Sequence, residues 1–392
     1  MDAARIAPRQ FPAGPGVPPS RAGTTPRRDA YLDNARYLLM LLVVAGHLWS
    51  AAGLGESSGG VRAAHAWVFL FHMPAFILVS GYLSRSFAAR PRQVARLVGG
   101  VLVPYLIFEA LNTAFRSWAL GQADVEMNLL EPWYVGWFLI ALFCWRLTSP
   151  IWQNIRRPFL IAVLISFAAG TVAIDEALAL GRVLQFLPFF VLGMLLRPEH
   201  LARLRTGRVR LAAVALLAVL LVLGYLVTSR RPVGQWLEWR VSYHELEVSL
   251  PQYLLLHALL MAGALLAGFA FLALVPTRTT WFTTLGTRTM YAFLLHPYLV
   301  KIAQYEGWLE RLRHPAEEAA LTVAAVLIAT VLMTWPVQWL LRGIVEPRLA
   351  WLFPAAAAPP QPAPRRPAPP QPAPPTHGRH RGTTGPTGSA RG

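Results

Sequence analysis

Four titratable side chains lie inside apolar stretches of this sequence, where a charge is costly. They are His47, His72, Glu109 and His296, and a rise of about 1.5 Å per residue places each roughly 9 to 18 Å from one end of its stretch. An ionisable residue at such a depth in a membrane is a candidate for function, and an imidazole titrates near neutral pH, which suits proton transfer. The alternative for any one of them is a hydrogen-bonded packing residue, but four at similar depth favour a functional group.

The first of these stretches also carries a cation. Arg36 precedes His47 by eleven residues, which on an α-helix places both side chains on one face about 16 Å apart. A guanidinium near the membrane surface suits an anionic ligand such as a phosphate, and the deeper imidazole suits base catalysis. Arg36 would equally serve as a positively charged anchor of the helix end. The spacing alone leaves both interpretations open.

The composition indicates that the apolar stretches are membrane-spanning helices. Hydrophobic residues make up 55% of the 392-residue chain and charged residues only 14%, against roughly 25% charged residues in soluble domains. Ten apolar runs approach or reach the roughly 17 to 20 residues that a spanning helix needs. We therefore expect an all-α, polytopic integral membrane bundle of about ten transmembrane helices. The runs cover residues 37–54, 66–83, 97–115, 132–147, 158–174, 183–196, 211–228, 253–275, 289–305 and 319–341.

The charges between the runs predict the orientation. Loops 84–96, 146–157, 197–210 and 276–288 together hold fourteen arginines and one acidic residue, and arginine-rich loops of membrane proteins face the cytoplasm. Ten spans with both termini in the cytoplasm satisfy this alternation, so we expect a multi-pass protein of the cell membrane. The formal net charge of +17 does not indicate a nucleic-acid partner, because the basic residues are spread over loops and tails.

Both ends of the chain differ from the apolar part. Residues 1–28 and 354–392 are rich in Pro, Ala and Arg without periodicity, so they bury too little apolar surface to offset the entropy lost on ordering. We expect two disordered tails that flank a transmembrane domain at residues 29–353. The first tail lacks the apolar core of a cleavable signal peptide.

Five blocks of sequence resemble a known family when they are taken in order. They are DNARYLLMLLVVAGH (33–47), FLFHMPAFILVSGYLSRS (69–86), WYVGWFLIALFCWRL (133–147), FLPFFVLGMLLRPEH (186–200) and LGTRTMYAFLLHPYLV (285–300). The set resembles the acyltransferase 3 family, in particular its fucose 4-O-acetylase-like branch, over most of residues 29–341. Arg36 and His47 match the Arg-x10-His element of that family, residues 80–82 match its Ser-Gly-Tyr element, and His296 matches its late histidine.

This resemblance implies a ten-helix membrane enzyme. Such an enzyme moves an acyl group, commonly acetyl, from a cytoplasmic acyl-CoA to a hydroxyl of a carbohydrate or glycolipid, without a permanently bound cofactor. By the same resemblance His47 is the catalytic base. The family often has an Arg-x-x-Arg pair after the second span, and Arg92 and Arg96 depart from it because they are four residues apart. We expect the donor-binding residues to be Arg36, Arg85, Arg92, Arg96, Ser80, Tyr82 and His296.

The chemistry suggests how these residues would act. Ester formation from a thioester needs a base for the acceptor hydroxyl and a site that excludes water. We expect His47 to be that base, and His72 or Glu109 to orient or recharge its ring through a hydrogen bond. Ser80 has no adjacent base in sequence, which disfavours it as a nucleophile. No metal site is predicted, because no helix face carries ligands at metal-binding spacing.

Other interpretations of the same residues stay open. The aromatic residues at 133–145 are typical of a membrane interface, with sugar stacking by Trp133 or Trp137 as the alternative. Titratable residues at mid-membrane are also typical of a proton-coupled transporter or flippase, here of a sugar-containing substrate. A membrane-bound sensor or scaffold is a third class, favoured only by the tails.

Overall fold

A computed structural model describes residues 29–55, 59–119, 121, 125–174, 177–230, 233–310 and 314–347. Every regular element within these ranges is helical, which confirms the all-α prediction. The two predicted disordered tails and the predicted domain end at residue 353 lie outside the described residues.

A helix forms in each of the ten apolar runs. The helices are α1 (Ala30–Ala51), α2 (Gly60–Ser84), α3 (Pro91–Leu97), α4 (Val103–Trp118), α5 (Trp137–Asn154), α6 (Pro158–Ala169), α7 (Leu180–Gln185), α8 (Leu187–Leu195), α9 (Pro198–Leu204), α10 (Gly207–Thr228), α11 (Gly234–Leu237), α12 (Leu250–Leu274), α13 (Thr289–Tyr305), α14 (Pro315–Leu332) and α15 (Trp335–Val345). A π-helical turn at Val98–Leu102 joins α3 to α4, and short 3₁₀ turns at Ala177–Ala179 and Leu285–Arg288 precede α7 and α13.

Several of these helices are suited to a bilayer. Within the described ranges, five are long and apolar enough to cross a membrane, and the bent pair α7–α8 would make a sixth. Four of the five are α2, α10, α12 and α14. The fifth is Pro91–Trp118, which consists of α3, the π-helical turn and α4. The chain is therefore an integral membrane protein. The total of ten spans and the cytoplasmic position of both termini stay predictions.

Prolines break two of the runs that the sequence presents as continuous. The sixth run bends by 55° between α7 and α8, where Pro188 lies in the first turn of α8. The tenth run stops at α14 and resumes at α15, with Pro336 in the first turn of α15 and Thr334 extended before it. Proline lacks the backbone N–H that would continue the preceding helix, which explains both interruptions.

One end of the bundle collects the arginine-rich loops. In the first turns of α1, Asn34 Nδ2 donates to the Arg278 carbonyl at 2.9 Å. The Arg205 guanidinium lies 3.9 Å from the centre of the Tyr31 ring, which is also at the start of α1. These contacts join loops that are far apart in sequence. We call this the arginine-rich end, and it holds the loops at 84–96, 146–157, 197–210 and 276–288.

The other end is built from the remaining connections. Ser50 Oγ near the end of α1 bonds to His65 Nε2 near the start of α2 at 2.8 Å. The backbone N–H of Tyr243 donates to the Gly170 carbonyl after α6 at 3.0 Å. We call this the opposite end, and it holds the described parts of the loops at 125–136, 171–179 and 233–249.

Helix α2 lies at the centre, in contact with α1, α8, α10 and α12. Its closest neighbour is α8, because glycines let the two backbones meet. A Cβ atom added at Gly81 would overlap the Phe190 carbonyl oxygen, and one added at Gly193 would overlap the Leu78 carbonyl oxygen. Small residues at a helix contact are the usual route to such close packing in membranes.

We expect Gly81→Ala to destabilise the protein. The added methyl group must push α2 and α8 apart, and overpacking of this kind costs about 1 to 3 kcal/mol. Gly343→Ala in α15 is the matched control, since no atom beyond its own stretch of helix lies within 4 Å of its added Cβ. Chemical unfolding in detergent micelles would measure both variants. Equal stability of the two would contradict the close α2–α8 contact.

Candidate active site

A cavity of about 410 Å³ opens at the opposite end of the bundle. Residues of α1, α2, α5 and α7 line it together with the loop after α11. Two predicted catalytic residues, His47 and His72, are in its wall, whereas Arg36 at the arginine-rich end is not. The cavity has the size of a site for a small molecule.

His47 is the centre of the polar contacts in this wall. Its Nδ1 lies 2.8 Å from the Tyr134 hydroxyl oxygen, a hydrogen bond in which either group could be the donor. The centre of its ring lies 5.3 Å from that of His296. The sequence predicted that His72 or Glu109 would bond to this ring, and the structure places Tyr134 there instead.

His72 and His296 share one hydrogen-bonding arrangement. Each ring nitrogen Nδ1 lies 2.8 Å from the carbonyl four residues earlier in its own helix, that of Val68 for His72 and that of Ala292 for His296. A carbonyl only accepts, so each Nδ1 carries a proton, and in the neutral ring Nε2 is then the unprotonated nitrogen. His296 Nε2 is buried and has no hydrogen-bond partner among the described residues.

Glu109 is buried in α4 but does not line the cavity. Its Oε1 accepts the backbone N–H of Trp133 at 3.1 Å. Trp133 immediately precedes Tyr134, so Glu109 reaches the ring of His47 through the chain between α4 and α5. The structure therefore groups His47, His72 and His296 directly, and Glu109 indirectly.

The predicted donor-binding residues, apart from His296 beside His47, lie towards the arginine-rich end. Arg36 forms an ion pair with Asp33 on α1, and Arg85 lies 3.9 Å above the Tyr82 ring at the end of α2. Arg92 and Arg96 are exposed on α3.

The remaining donor candidates in α2 are buried. Ser80 Oγ donates to the Phe76 carbonyl of its own helix at 2.9 Å, and Tyr82 is also buried. A further cation, Arg146 of α5, donates from its Nε to Ser84 Oγ at 3.0 Å and reaches this part of α2. From the sequence, Arg146 is predicted only as one of the arginines of a cytoplasmic loop.

Four charged residues form the rim of the cavity. Arg240 Nε donates to Glu238 Oε2 at 2.6 Å, and Arg182 Nη2 lies 3.8 Å from the same oxygen. Glu245 accepts the backbone N–H of Ser242 at 2.7 Å and its hydroxyl at 2.8 Å, and these two bonds hold the pKa of Glu245 below its usual range. The rim thus carries two positive and two negative charges.

An aromatic surface continues the rim inward. Trp137 stacks on Phe186 with ring centres 5.4 Å apart, and the Arg182 guanidinium lies 5.1 Å from the Trp137 ring centre. Sequence reasoning left Trp137 as an alternative and missed Arg182, Glu238 and Tyr134. An arginine at the start of an otherwise apolar run was the available signal for Arg182.

Another buried histidine, His257 of α12, lies behind the rim. Ser166 Oγ donates to the Gln185 carbonyl at 2.8 Å, so His257 Nε2 donates to Ser166 Oγ at 3.1 Å, and Tyr253 donates to His257 Nδ1 at 3.1 Å. The side-chain polar atoms of Ser166, His257 and Tyr253 thus all take part in hydrogen bonds. The His257 ring also packs 5.1 Å from that of Trp239, which fixes the loop that carries Glu238 and Arg240. Within the described ranges, no group of three His, Cys, Asp or Glu side chains could hold a metal ion.

Comparison with known proteins matches this chain to one family. Residues 29–339 match the family described as acyltransferase domain. Nodulation protein NolL of Sinorhizobium fredii is 27% identical over 197 residues, which cover 46% of this chain and 52% of that protein. Nodulation protein NolL of Mesorhizobium japonicum is 27% identical over 188 residues, covering 44% and 49%. The chain thus spans about half the length of these relatives, and no solved structure matches it significantly.

We expect the cavity to open on the non-cytoplasmic side of the membrane. The test uses a variant in which Cys144, the single cysteine, is replaced by serine, and adds Val241→Cys in the cavity wall or Ser86→Cys at the arginine-rich end. In sealed right-side-out vesicles, a membrane-impermeant maleimide should label Val241→Cys at once and Ser86→Cys only after permeabilisation. The reverse order would show that the orientation is inverted.

Proposed function

Because the chain belongs to the acyltransferase 3 family, we propose that it is a membrane-bound O-acyltransferase of the cell membrane. It moves an acetyl or other short acyl group from acyl-CoA to a hydroxyl of a carbohydrate or glycosylated acceptor. The observation that carries this proposal is the position of His47, whose ring lines the cavity and bonds to Tyr134. An imidazole in the wall of a cavity lined partly by apolar side chains is suited to act as a general base.

The reaction transfers one proton twice. The acceptor hydroxyl gives its proton to His47 as its oxygen attacks the thioester carbonyl carbon. The C–S bond of the tetrahedral intermediate then breaks, and the protonated ring returns the proton to the departing thiolate. The products are an ester and free coenzyme A. His72, in the same wall with a ring nitrogen that its own helix leaves bare, would accept a hydrogen bond from a second hydroxyl of the acceptor.

The cavity suits a carbohydrate acceptor. Trp137 and Phe186 in the wall offer apolar surface to a sugar ring, and Arg182, Glu238 and Arg240 at the rim offer donors and acceptors for hydroxyl groups. The rim charges balance, which favours an uncharged sugar over an anionic one. The volume of about 410 Å³ admits a small glycan unit rather than a long chain.

The donor would approach from the arginine-rich end. Arg36 shares a helix face with His47 about 16 Å away, so the extended arm of acyl-CoA would follow α1 while its phosphates contact Arg36, Arg85, Arg92 and Arg96. Guanidinium groups bind phosphate through two parallel hydrogen bonds, which supports this assignment. Ser80 and Tyr82 at the end of α2, and His296 beside His47, would complete the donor path.

A proton-coupled transporter or flippase is the second candidate. Two histidines in the cavity wall, with His296 buried beside one of them, are also typical of the proton relays of transporters. Labelled acetyl-CoA separates the two, since label that moves onto a glycan supports the enzyme and sugar movement without label supports transport.

We expect His47→Ala to lose at least about 10²-fold in the rate of acyl transfer, the usual contribution of a general base. The measurement follows label from acetyl-CoA onto the glycans of membranes from the source organism. His200→Ala, at an exposed position of α9, is the control and should keep the wild-type rate. A His47→Ala protein that inserts normally and keeps near-wild-type transfer would show that His47 is not the base.

We expect Arg92→Ala and Arg96→Ala to raise the KM for acetyl-CoA by roughly tenfold each, because each removes a charge-assisted hydrogen bond to phosphate. The variant Arg210→Ala, an exposed arginine of the same end, is the control for net charge. Values of KM that equal the wild type would remove both residues from the donor site.

A further inference from the structure

The chain between α4 and α5 makes an unusual turn at Tyr134. Its φ of 51° is in the left-handed region, which residues other than glycine rarely adopt. The turn closes through the Gly136 N–H, which donates to the Trp133 carbonyl at 2.9 Å. Backbone held in this region persists only where its surroundings enforce it, and such residues are concentrated at functional sites. Here the enforced conformation points the Tyr134 hydroxyl at His47.

Glu109 supplies the enforcing contact. Its buried carboxylate accepts the Trp133 N–H at 3.1 Å. Gly136 at the other side of the turn packs closely against the same carboxylate, because a Cβ atom added at Gly136 would overlap Glu109 Oε1. One carboxylate oxygen therefore accepts a hydrogen bond from the residue before Tyr134 and packs against Gly136, two residues after it.

A second contact holds Tyr134 from the far side. Lys301 Nζ of α13 lies 4.7 Å from the centre of the Tyr134 ring and donates to Gln304 Oε1 at 3.0 Å. The ring is thus fixed between α13 and the Glu109-bound turn. These restraints leave its hydroxyl at 2.8 Å from His47 Nδ1.

We propose that Glu109 is a positioning residue, which sets the ring of His47 through the Trp133 amide and the Tyr134 hydroxyl and exchanges no proton in the reaction. This inference rests on the proposed role of His47 as the base. Tyr134 holds Nδ1, so that Nε2 of His47 is the nitrogen left for the acceptor hydroxyl. The function required of Glu109 is that of a hydrogen-bond acceptor of fixed shape, which an amide oxygen fulfils as well as a carboxylate.

The substitution Glu109→Gln separates the two roles. It keeps the oxygen that accepts the Trp133 N–H and removes the ability to carry a proton at neutral pH. Glu109→Ala removes the oxygen as well, and Tyr134→Phe removes only the hydroxyl at the end of the chain of contacts. Two readouts apply to all three variants in lipid nanodiscs: the tautomer of His47 from ¹⁵N-histidine NMR, assigned with His47→Ala, and the transfer of label from acetyl-CoA to source-membrane glycans.

We expect the wild type and Glu109→Gln both to show a single His47 tautomer, protonated on Nδ1 so that Nε2 can take the proton of the acceptor hydroxyl, and to have similar transfer rates. Glu109→Ala and Tyr134→Phe should show mixed tautomers and a kcat lowered by at least about tenfold, with the KM for acetyl-CoA unchanged. A Glu109→Gln protein as impaired as Glu109→Ala would overturn the inference, as would a Tyr134→Phe protein with an unchanged tautomer and rate. His47→Ala with normal transfer would instead overturn the proposed function.

Discussion

Polar groups buried among apolar helices must find their hydrogen-bond partners within the protein, because a membrane interior offers none. His72 and His296 meet this requirement with carbonyls of their own helices. Tyr31 meets it with the Leu272 carbonyl at 2.8 Å, which joins α1 to α12. His47 meets it with Tyr134, a residue of another element. The requirement thus fixes ring orientation and helix packing together. The Nε2 atom of His296, beside His47, does not meet it, because this buried nitrogen has no hydrogen-bond partner among the described residues.

Much of the helical organisation follows from the order of apolar runs. Each run contains a helix, because a long apolar segment in a membrane has few other ways to satisfy its backbone. Bends at Pro188 and Pro336 were within reach of the sequence, since proline interrupts helices for a local reason. The grouping of His47, His72 and His296 could also be anticipated from their similar depth. Their exact partners could not, because those depend on how α1, α2 and α13 face one another.

Tyr134 shows where sequence reasoning stops. Its importance depends on a left-handed turn that is enforced by Glu109, a residue twenty-five positions earlier in the chain. No local sequence pattern predicts such a turn. An aromatic residue near a helix start is usual at a membrane interface, so the residue type of Tyr134 does not indicate a functional role either. The Ser-Gly-Tyr element at residues 80–82 is the converse case. Its glycine has a plain packing reason, the contact of α2 with the Phe190 carbonyl of α8.

The paired charges at the rim of the cavity have a consequence for how molecules arrive there. Glu238 lies beside Arg240 and Arg182, and Glu245 supplies the second negative charge, so the charges at the entrance sum to zero and its long-range field is small. Dissolved salt weakens attraction between separated charges over a Debye length of about 8 Å at physiological ionic strength. Because the entrance exerts almost no such attraction, salt has little to screen. A neutral glycan would therefore diffuse into the entrance at nearly the same rate in dilute and concentrated salt.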